Sequence, residues 1–306
     1  MAPAATPYRD IPFTARDGLK LYARCYPART ANGPARRPVL CLPGLTRNSR
    51  DFHDLAVALS SMASSARDVF ALDYRGRGRS ETDPQWRNYA VPIEMLDVAD
   101  FITLQDLAGC AIVGTSRGGL IAMFLAAAQP SSFGPVILND IGPVIERGGL
   151  ARISAYAGRI PLPGSWVEAT KLVRDMNVRA FPAIPEDKWE QIARQWFNER
   201  NGRPAPGYDP KIGNSLSVLD GPIPALWPQF EAMKTHPMMV LRGENSDILS
   251  AATVDEMRRR HPAFTDMVVK GQGHAPMLAD KASVSGITAF LEATDGVSAH
   301  NLRAIA

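Results

Sequence analysis

The stretch Ala111-Ile112-Val113-Gly114-Thr115-Ser116-Arg117-Gly118-Gly119-Leu120 decides how this chain folds. Residues 111–114 form a short apolar run suited to a buried parallel strand, and 120–128, apolar on most sides, reads as a central helix. Between them, Gly114 and Gly118 bracket Ser116 in a turn too tight for larger side chains. A strand that feeds a helix through such a turn presents the serine hydroxyl at the carboxyl edge of a sheet. There the helix N-terminus favours developing negative charge.

Outward from this turn, strands and helices alternate. Apolar runs at Val39–Leu42, 69–72, 136–138, 238–241 and 266–269 read as strands, and helical patterns occupy 51–62, 93–104, 251–260 and 282–291. That rhythm predicts an α/β fold whose parallel sheet is covered by helices on both faces. Two β-rich segments, 11–15 and 20–26, precede it and are split by Asp17-Gly18, a hairpin signal. Residues 29–38, rich in Gly, Pro, Ala and Arg, read as an exposed loop.

The rhythm fails over 142–228, a stretch with several prolines and Trp166, Trp189, Trp196 and Trp227. Within it 186–200 reads as one helix with Trp189, Ile192, Ala193, Trp196 and Phe197 on one face, and 201–210 reads as a loop. Such a stripe is first of all core packing. In an inserted segment it can also face a substrate cleft, which makes Trp166, Trp189 and Trp196 candidate pocket walls. The expected organisation is one core domain, 1–141 and 233–306, interrupted by a helical cap at 142–232.

A serine hydroxyl needs a base to take its proton. Of His53, His236, His261, His274 and His300, only His274 sits in a glycine-flanked loop just past the last strand, Gly271-Gln272-Gly273-His274-Ala275-Pro276. Each of the others has a simple surface, strand or capping reading. The imidazole in turn needs a carboxylate to set its tautomer. Asp247, in the loop after the 238–241 strand, is favoured over Asp140, which follows the 136–138 strand, and over Glu244. The chain order Ser, Asp, His differs from that of chymotrypsin-type and subtilisin-type proteases. Two backbone N–H groups, of Arg117 beside the serine and of Leu45 in Leu42-Pro43-Gly44-Leu45, are the expected oxyanion donors, with Gly44 lining the substrate path.

The bulk numbers exclude several function classes. With 306 residues, 45% of them hydrophobic, the chain can hold a core without disulfide or metal. A formal net charge of +3 and only short arginine clusters, at 75–79 and 258–260, give no basic stripe for nucleic acid. Cys25, Cys41 and Cys110 lack C-x-x-C spacing and read as free buried thiols, which suits a reducing compartment. No signal-peptide pattern opens the chain, and its longest apolar segment, 120–128, is about half what a bilayer span needs. A cytoplasmic location is expected, without metal or membrane span.

Leu42-Pro43-Gly44, Asp73-Tyr74-Arg75-Gly76-Arg77-Gly78-Arg79-Ser80, the Gly114–Gly118 turn, Asp247 and Gly273-His274 together make the chain resemble the α/β-hydrolase superfamily, outside the cap over essentially its whole length. The resemblance implies a mostly parallel sheet of about eight strands and no cofactor. It also makes the glycines of 73–80 structural rather than a dinucleotide fingerprint. The chain departs from family patterns at Pro43, where the oxyanion loop usually has His. It departs again at Ala275, where carbon–carbon bond hydrolases often carry Trp. Ser116 argues against the haloalkane dehalogenases and epoxide hydrolases, which use Asp. Arg117, unusual beside a nucleophile, is expected to pair with a nearby carboxylate rather than to attract an acidic substrate. The leading expectation is a serine hydrolase of a small carboxylic ester or lactone. Carbon–carbon hydrolysis or cofactor-free perhydrolysis by the same triad is the nearest alternative, and a non-catalytic ligand-binding protein is the alternative of another class.

Overall fold

The computed structural model describes residues 6–29, 36–219 and 223–296, and side chains within them except at 217–219. His300 and most of the expected 29–38 loop lie outside the described residues. In chain order the elements are β1 (Arg9–Thr14), β2 (Lys20–Tyr26), β3 (Val39–Leu42), α1 (His53–Ser61), β4 (Val69–Asp73), α2 (Val91–Leu104), β5 (Cys110–Thr115), α3 (Arg117–Ala128) and β6 (Phe133–Asn139). The segment between β6 and β9, the expected insertion, holds α4 (Arg147–Tyr156), α5 (Trp166–Asn177), α6 (Trp189–Trp196), β7 (Asn198–Arg200), β8 (Arg203–Ala205) and α7 (Trp227–Glu231). The chain then returns through β9 (Met238–Gly243), α8 (Ala251–Arg260), β10 (Phe264–Val269) and α9 (Lys281–Thr294).

Among the described residues β1 to β6, β9 and β10 make an eight-stranded sheet in the order β1-β2-β4-β3-β5-β6-β9-β10. The β1–β2 hairpin joins β4 antiparallel, and every later pairing is parallel. Successive residues of one strand point to opposite faces, so each central strand feeds two cores. Leu40, Leu42, Ile112, Leu138 and Val240 face α2, α3 and α8, packed by Val98, Ile121, Leu125 and Val254. Val39, Cys41, Val113, Ile137 and Leu241 face α1 and α9, packed by Leu55, Leu59, Ile287 and Leu291. The three cysteines are free and buried in these two layers.

The inserted segment builds a separate cluster from Ala169, Val173, Phe181, Trp189, Ile192, Ala193 and Phe197. Its α7 differs, placing Phe230 in the core under α3. The expected single helix over 186–200 ends instead at Trp196, because Phe197 turns extended (φ −101°, ψ 146°) and opens β7. Tertiary hydrogen bonds hold that change: Arg50 Nη2 donates to the Phe197 carbonyl at 3.2 Å, and Asn198 Nδ2 to the Gly78 carbonyl at 2.8 Å. The expected 201–210 loop likewise contains β8. Its turn is Asn201-Gly202, with φ of 52° and 73°, the left-handed pair of a two-residue hairpin.

The turn after β4 shows what its glycines do. Asp73 is buried and accepts from the Ser49 N–H at 2.7 Å and the Arg79 N–H at 2.8 Å. Gly78, at φ +57°, passes so close that an added Cβ would stand 2.0 Å from an Asp73 carboxylate oxygen. Gly78→Ala is therefore expected to destabilise the fold by roughly 2–3 kcal/mol, read as a lower urea midpoint at unchanged slope. A loss below about 0.5 kcal/mol would show that the turn relaxes freely, since ordinary surface changes fall within that range.

Candidate active site

The Ser116 turn is built by close packing. Cβ atoms at Gly114 and Gly118 would lie 2.7 Å from the backbone of Gly118 and 2.1 Å from the Leu42 carbonyl oxygen. Only glycine lets α3 cross β5 and β3 at this range. Ser116 itself takes φ 51° and ψ −112°, a strained conformation for a side-chain-bearing residue, and its N–H donates to the Asn139 carbonyl at 3.0 Å. That strain turns the side chain out over the sheet edge.

Two other loops meet it there. His274 Nε2 lies 2.9 Å from Ser116 Oγ, and His274 Nδ1 lies 2.8 Å from Asp140 Oδ2. An ionised carboxylate only accepts, so Nδ1 carries the ring proton and Nε2 is left as the acceptor for the serine hydroxyl. Asn139, buried beside them, donates to Thr115 Oγ1 at 3.0 Å and to the Pro276 carbonyl at 2.9 Å, tying the serine turn to the histidine loop. Sequence reasoning passed over Asn139. A polar residue ending an otherwise apolar strand one position before an acid was the available signal.

The acid contact corrects the expectation for Asp247. Asp140 is the carboxylate on the imidazole, fully buried, with further donors in the Gly243 N–H at 2.8 Å and the Ser246 hydroxyl at 2.6 Å. Asp247 turns away into a two-point pair with Arg152 of α4, at 2.6 and 2.9 Å, with both side chains nearly half exposed. Hydrogen bonding to Arg152 holds the Asp247 carboxyl below the usual carboxylate range, with a lesser pull from His274. Glu244 is bound to Lys270 and the Gly271 N–H. The other described histidines have local partners: His53 meets the Tyr26 hydroxyl, His236 the Gly134 carbonyl and His261 the Met233 carbonyl.

Of the expected oxyanion positions, Arg117 follows the serine directly and Leu45 lines the same cavities as Ser116. An added Cβ at Gly44 would stand 3.9 Å from Ser116 Cβ, which places Gly44 beside the serine turn. Arg117 opens α3, where its N–H has no intrahelical acceptor. The Arg117 side chain pairs, as expected, with a carboxylate: Nε donates to buried Glu94 at 2.5 Å and Nη2 to the Tyr89 carbonyl at 2.9 Å.

Two cavities open at Ser116. One, about 500 Å³, is lined mainly by apolar side chains, among them Leu120, Ile141, Ile145, Leu150, Leu216 and Ile248. The second, about 220 Å³, contains the His274 side and adds Arg47, Arg152, Tyr156, Asn177 and Gln195. Of the tryptophans expected as walls, Trp196 lines the second cavity and stacks under Arg47 at 4.5 Å. Trp166 and Trp189 line neither, a second correction. Trp189 is buried in the cluster of the inserted segment, and Trp166 donates its Nε1 to the Gly202 carbonyl at 3.1 Å, beneath Arg194. Among the described residues no group of three or more His, Cys, Asp or Glu is placed to hold a metal ion, and no helix is long and apolar enough to cross a membrane.

Kinship agrees with the geometry. The sequence pattern of the Alpha/beta hydrolase family matches residues 39–285. The chain belongs to the alpha/beta hydrolase family and is a hydrolase. Among curated relatives, the 3-hydroxybutyrate-oligomer hydrolase of Cupriavidus necator is 31% identical over 263 residues, 81% of this chain and 86% of that one. The 2-(acetamidomethylene)succinate hydrolase of Mesorhizobium japonicum is 26% identical over 83% of this chain and 88% of its own. Among solved structures, an alpha/beta hydrolase from Novosphingobium aromaticivorans superposes with a TM-score of 0.85 at 36% identity, covering 94% of this chain and 99% of that one.

The two carboxylates of this hydrolase separate cleanly by experiment. Asp140→Asn is expected to cut kcat by about 10,000-fold, as when the group that sets a histidine tautomer is lost. Asp247→Asn, breaking a half-exposed pair, should cost less than about tenfold and about 1 kcal/mol or less of stability. The reverse ranking in steady-state kinetics would return the role to Asp247.

Proposed function

We propose that the chain is a serine hydrolase of carboxylic esters, with Ser116 as nucleophile, His274 as general base and Asp140 as the orienting acid. What carries this reading is the unbroken proton path from Ser116 Oγ through the imidazole to a buried carboxylate, 2.9 and 2.8 Å long, at the mouth of an apolar cavity. His274 Nε2 takes the hydroxyl proton as Oγ attacks the ester carbonyl carbon. The N–H groups of Leu45 and Arg117 receive the oxyanion. The protonated imidazole then gives its proton to the departing alkoxide, leaving an acyl-enzyme. Water, deprotonated in turn by His274, releases the acid and restores Ser116.

The leaving oxygen must come within reach of His274, so the alcohol part belongs on the histidine side, in the smaller cavity with its added polar side chains. The acyl group then fills the larger apolar cavity. This division suits an ester of an apolar acid with a polar alcohol. Oligomers of a short hydroxy acid, named for the Cupriavidus relative, have a carboxyl function on every alcohol part and are the first natural-type substrates to try. Lactones present the same carbonyl in a ring.

Ser116→Ala should abolish hydrolysis of p-nitrophenyl butanoate and labelling by a fluorophosphonate while the circular dichroism spectrum stays native. For wild type, kcat/KM should rise from the acetate to the hexanoate by about fourfold per CH₂, the value of burying one methylene. Turnover by the alanine variant sinks the nucleophile, and a flat chain-length profile sinks the acyl cavity.

A further inference from the structure

The two expected oxyanion donors are tied to the same buried carboxylate. Glu94, on α2, is fully buried; its Oε1 accepts from Arg77 Nη1 at 2.6 Å and its Oε2 from Arg117 Nε at 2.5 Å. Arg77, itself fully buried, donates Nε to the Leu45 carbonyl at 2.8 Å and Nη1 also to the Arg75 carbonyl at 2.7 Å. Arg117 completes its fixation on the Tyr89 carbonyl. A chain of charge-assisted hydrogen bonds therefore runs from Leu45 through Arg77 and Glu94 to Arg117.

We propose that Glu94 and Arg77 are positioning residues that hold the oxyanion loop and the start of α3 at a fixed separation. The proposal rests on the ester-hydrolase reading above and extends it to residues that touch no substrate. Fixing the Leu45 carbonyl sets the peptide that follows Leu45 and so the backbone torsion of the residue whose N–H faces the oxyanion. Fixing the Arg117 guanidinium anchors the first residue of α3, which supplies the other N–H. Preorganised donors stabilise a transition state only if they need not move when charge develops, and a misplacement of about 1 Å costs on the order of 100-fold.

The charge balance supports the same role. Burial alone would raise the Glu94 carboxyl, yet the charges of Arg117 and Arg77 hold it below its ordinary value, so it stays ionised. Two guanidinium groups meet one carboxylate here, while the neighbouring Arg75 is taken up by Asp97, Asp83 and Asp17. A purely structural ion pair would be complete with one arginine. The second one extends the bridge to the oxyanion loop.

The test uses Arg77→Met, which cuts the tether to Leu45 but leaves Glu94 paired with Arg117, and Glu94→Asp, which keeps the charge but shortens the reach. Active sites are counted by fluorophosphonate titration, so loss of folded protein does not register as loss of rate. With p-nitrophenyl butanoate each variant should lose about 10- to 100-fold in kcat per active site, with KM within about threefold. Butylboronic acid accepts the Ser116 Oγ electron pair at boron as the hydroxyl proton moves to His274, giving a tetrahedral anion. Its inhibition constant should rise by the same factor as kcat falls. Folded variants with wild-type kcat and wild-type boronate affinity would overturn the proposal. If neither variant folds, a wild-type boronate adduct structure decides: Arg77 must remain on the Leu45 carbonyl with both amides on the boronate oxygen, and a detached Arg77 overturns it. A wild type that neither cleaves esters nor takes up boronate would instead fell the ester-hydrolase reading itself.

Discussion

The structure depends on how closely one helix crosses two strands. At Gly118 the α3 backbone approaches the Leu42 carbonyl so nearly that a Cβ would stand 2.1 Å from its oxygen. Ser116 lies at the crossing, in a backbone conformation that costs about 1–3 kcal/mol for a residue with a side chain. Such a strain persists only where the surroundings over-determine it. Here β5 is hydrogen-bonded on both sides, to β3 and to β6, and apolar layers fill both faces of the sheet. The proposed oxyanion loop follows β3, the acid on the imidazole follows β6, and the serine follows β5 between them. Sheet register therefore delivers three of the four site elements to one edge before any side chain has chosen a partner.

That dependence explains what the sequence made legible. Short apolar runs bounded by turns marked β3 to β6 and β9, because strands buried on both faces have few other compositions available, whereas β10, an edge strand with Thr265 and Val268 exposed, was marked by its apolar end Met267-Val268-Val269. The glycine bracket around Ser116 and the loop of His274 were readable for the same steric reason. The inserted segment was not. Its α4 and α5 bury few positions, Gly149 and Ile153 in one and Ala169 and Val173 in the other, so little apolar sequence marks their inward faces. Residues 186–200 carried a helical stripe to their end, yet Arg50 and Gly78, far away in the chain, take up the hydrogen bonds of Phe197 and Asn198. Asn201-Gly202 was the local warning, since that dipeptide suits the left-handed turn that closes β7 on β8.

The arginines show the limit of reading charge along a sequence. Arg75, Arg77 and Arg79 look alike in a run that resembles a solvated turn. In space Arg79 is exposed and paired with Asp10, while Arg75 is buried among Asp97, Asp83 and Asp17 and Arg77 is buried on Glu94. The partners lie on β1, the loop after it, the β4–α2 connection and α2, and only Asp83, eight residues past Arg75, is close to its arginine in the chain. A net charge of +3 says nothing of this internal array. Buried pairs are costly to desolvate and are held only where hydrogen bonds satisfy the remaining atoms. At Arg77 the Leu45 and Arg75 carbonyls meet that condition for Nε and Nη1, while buried Nη2 has no hydrogen-bond partner among the described residues.

The choice between Asp140 and Asp247 has the same origin. Both follow parallel strands, β6 and β9, and both reach the neighbourhood of His274, so spacing along the chain cannot rank them. Their surroundings can. Asp247 meets Arg152 from the inserted segment at a half-exposed position, where an arginine fork satisfies both oxygens and leaves little for an imidazole. Among the described residues no arginine pairs with Asp140; its oxygens receive an N–H, a hydroxyl and His274 Nδ1. The inserted segment thus lines both cavities at Ser116 and also, through one guanidinium, occupies the carboxylate that the imidazole does not contact.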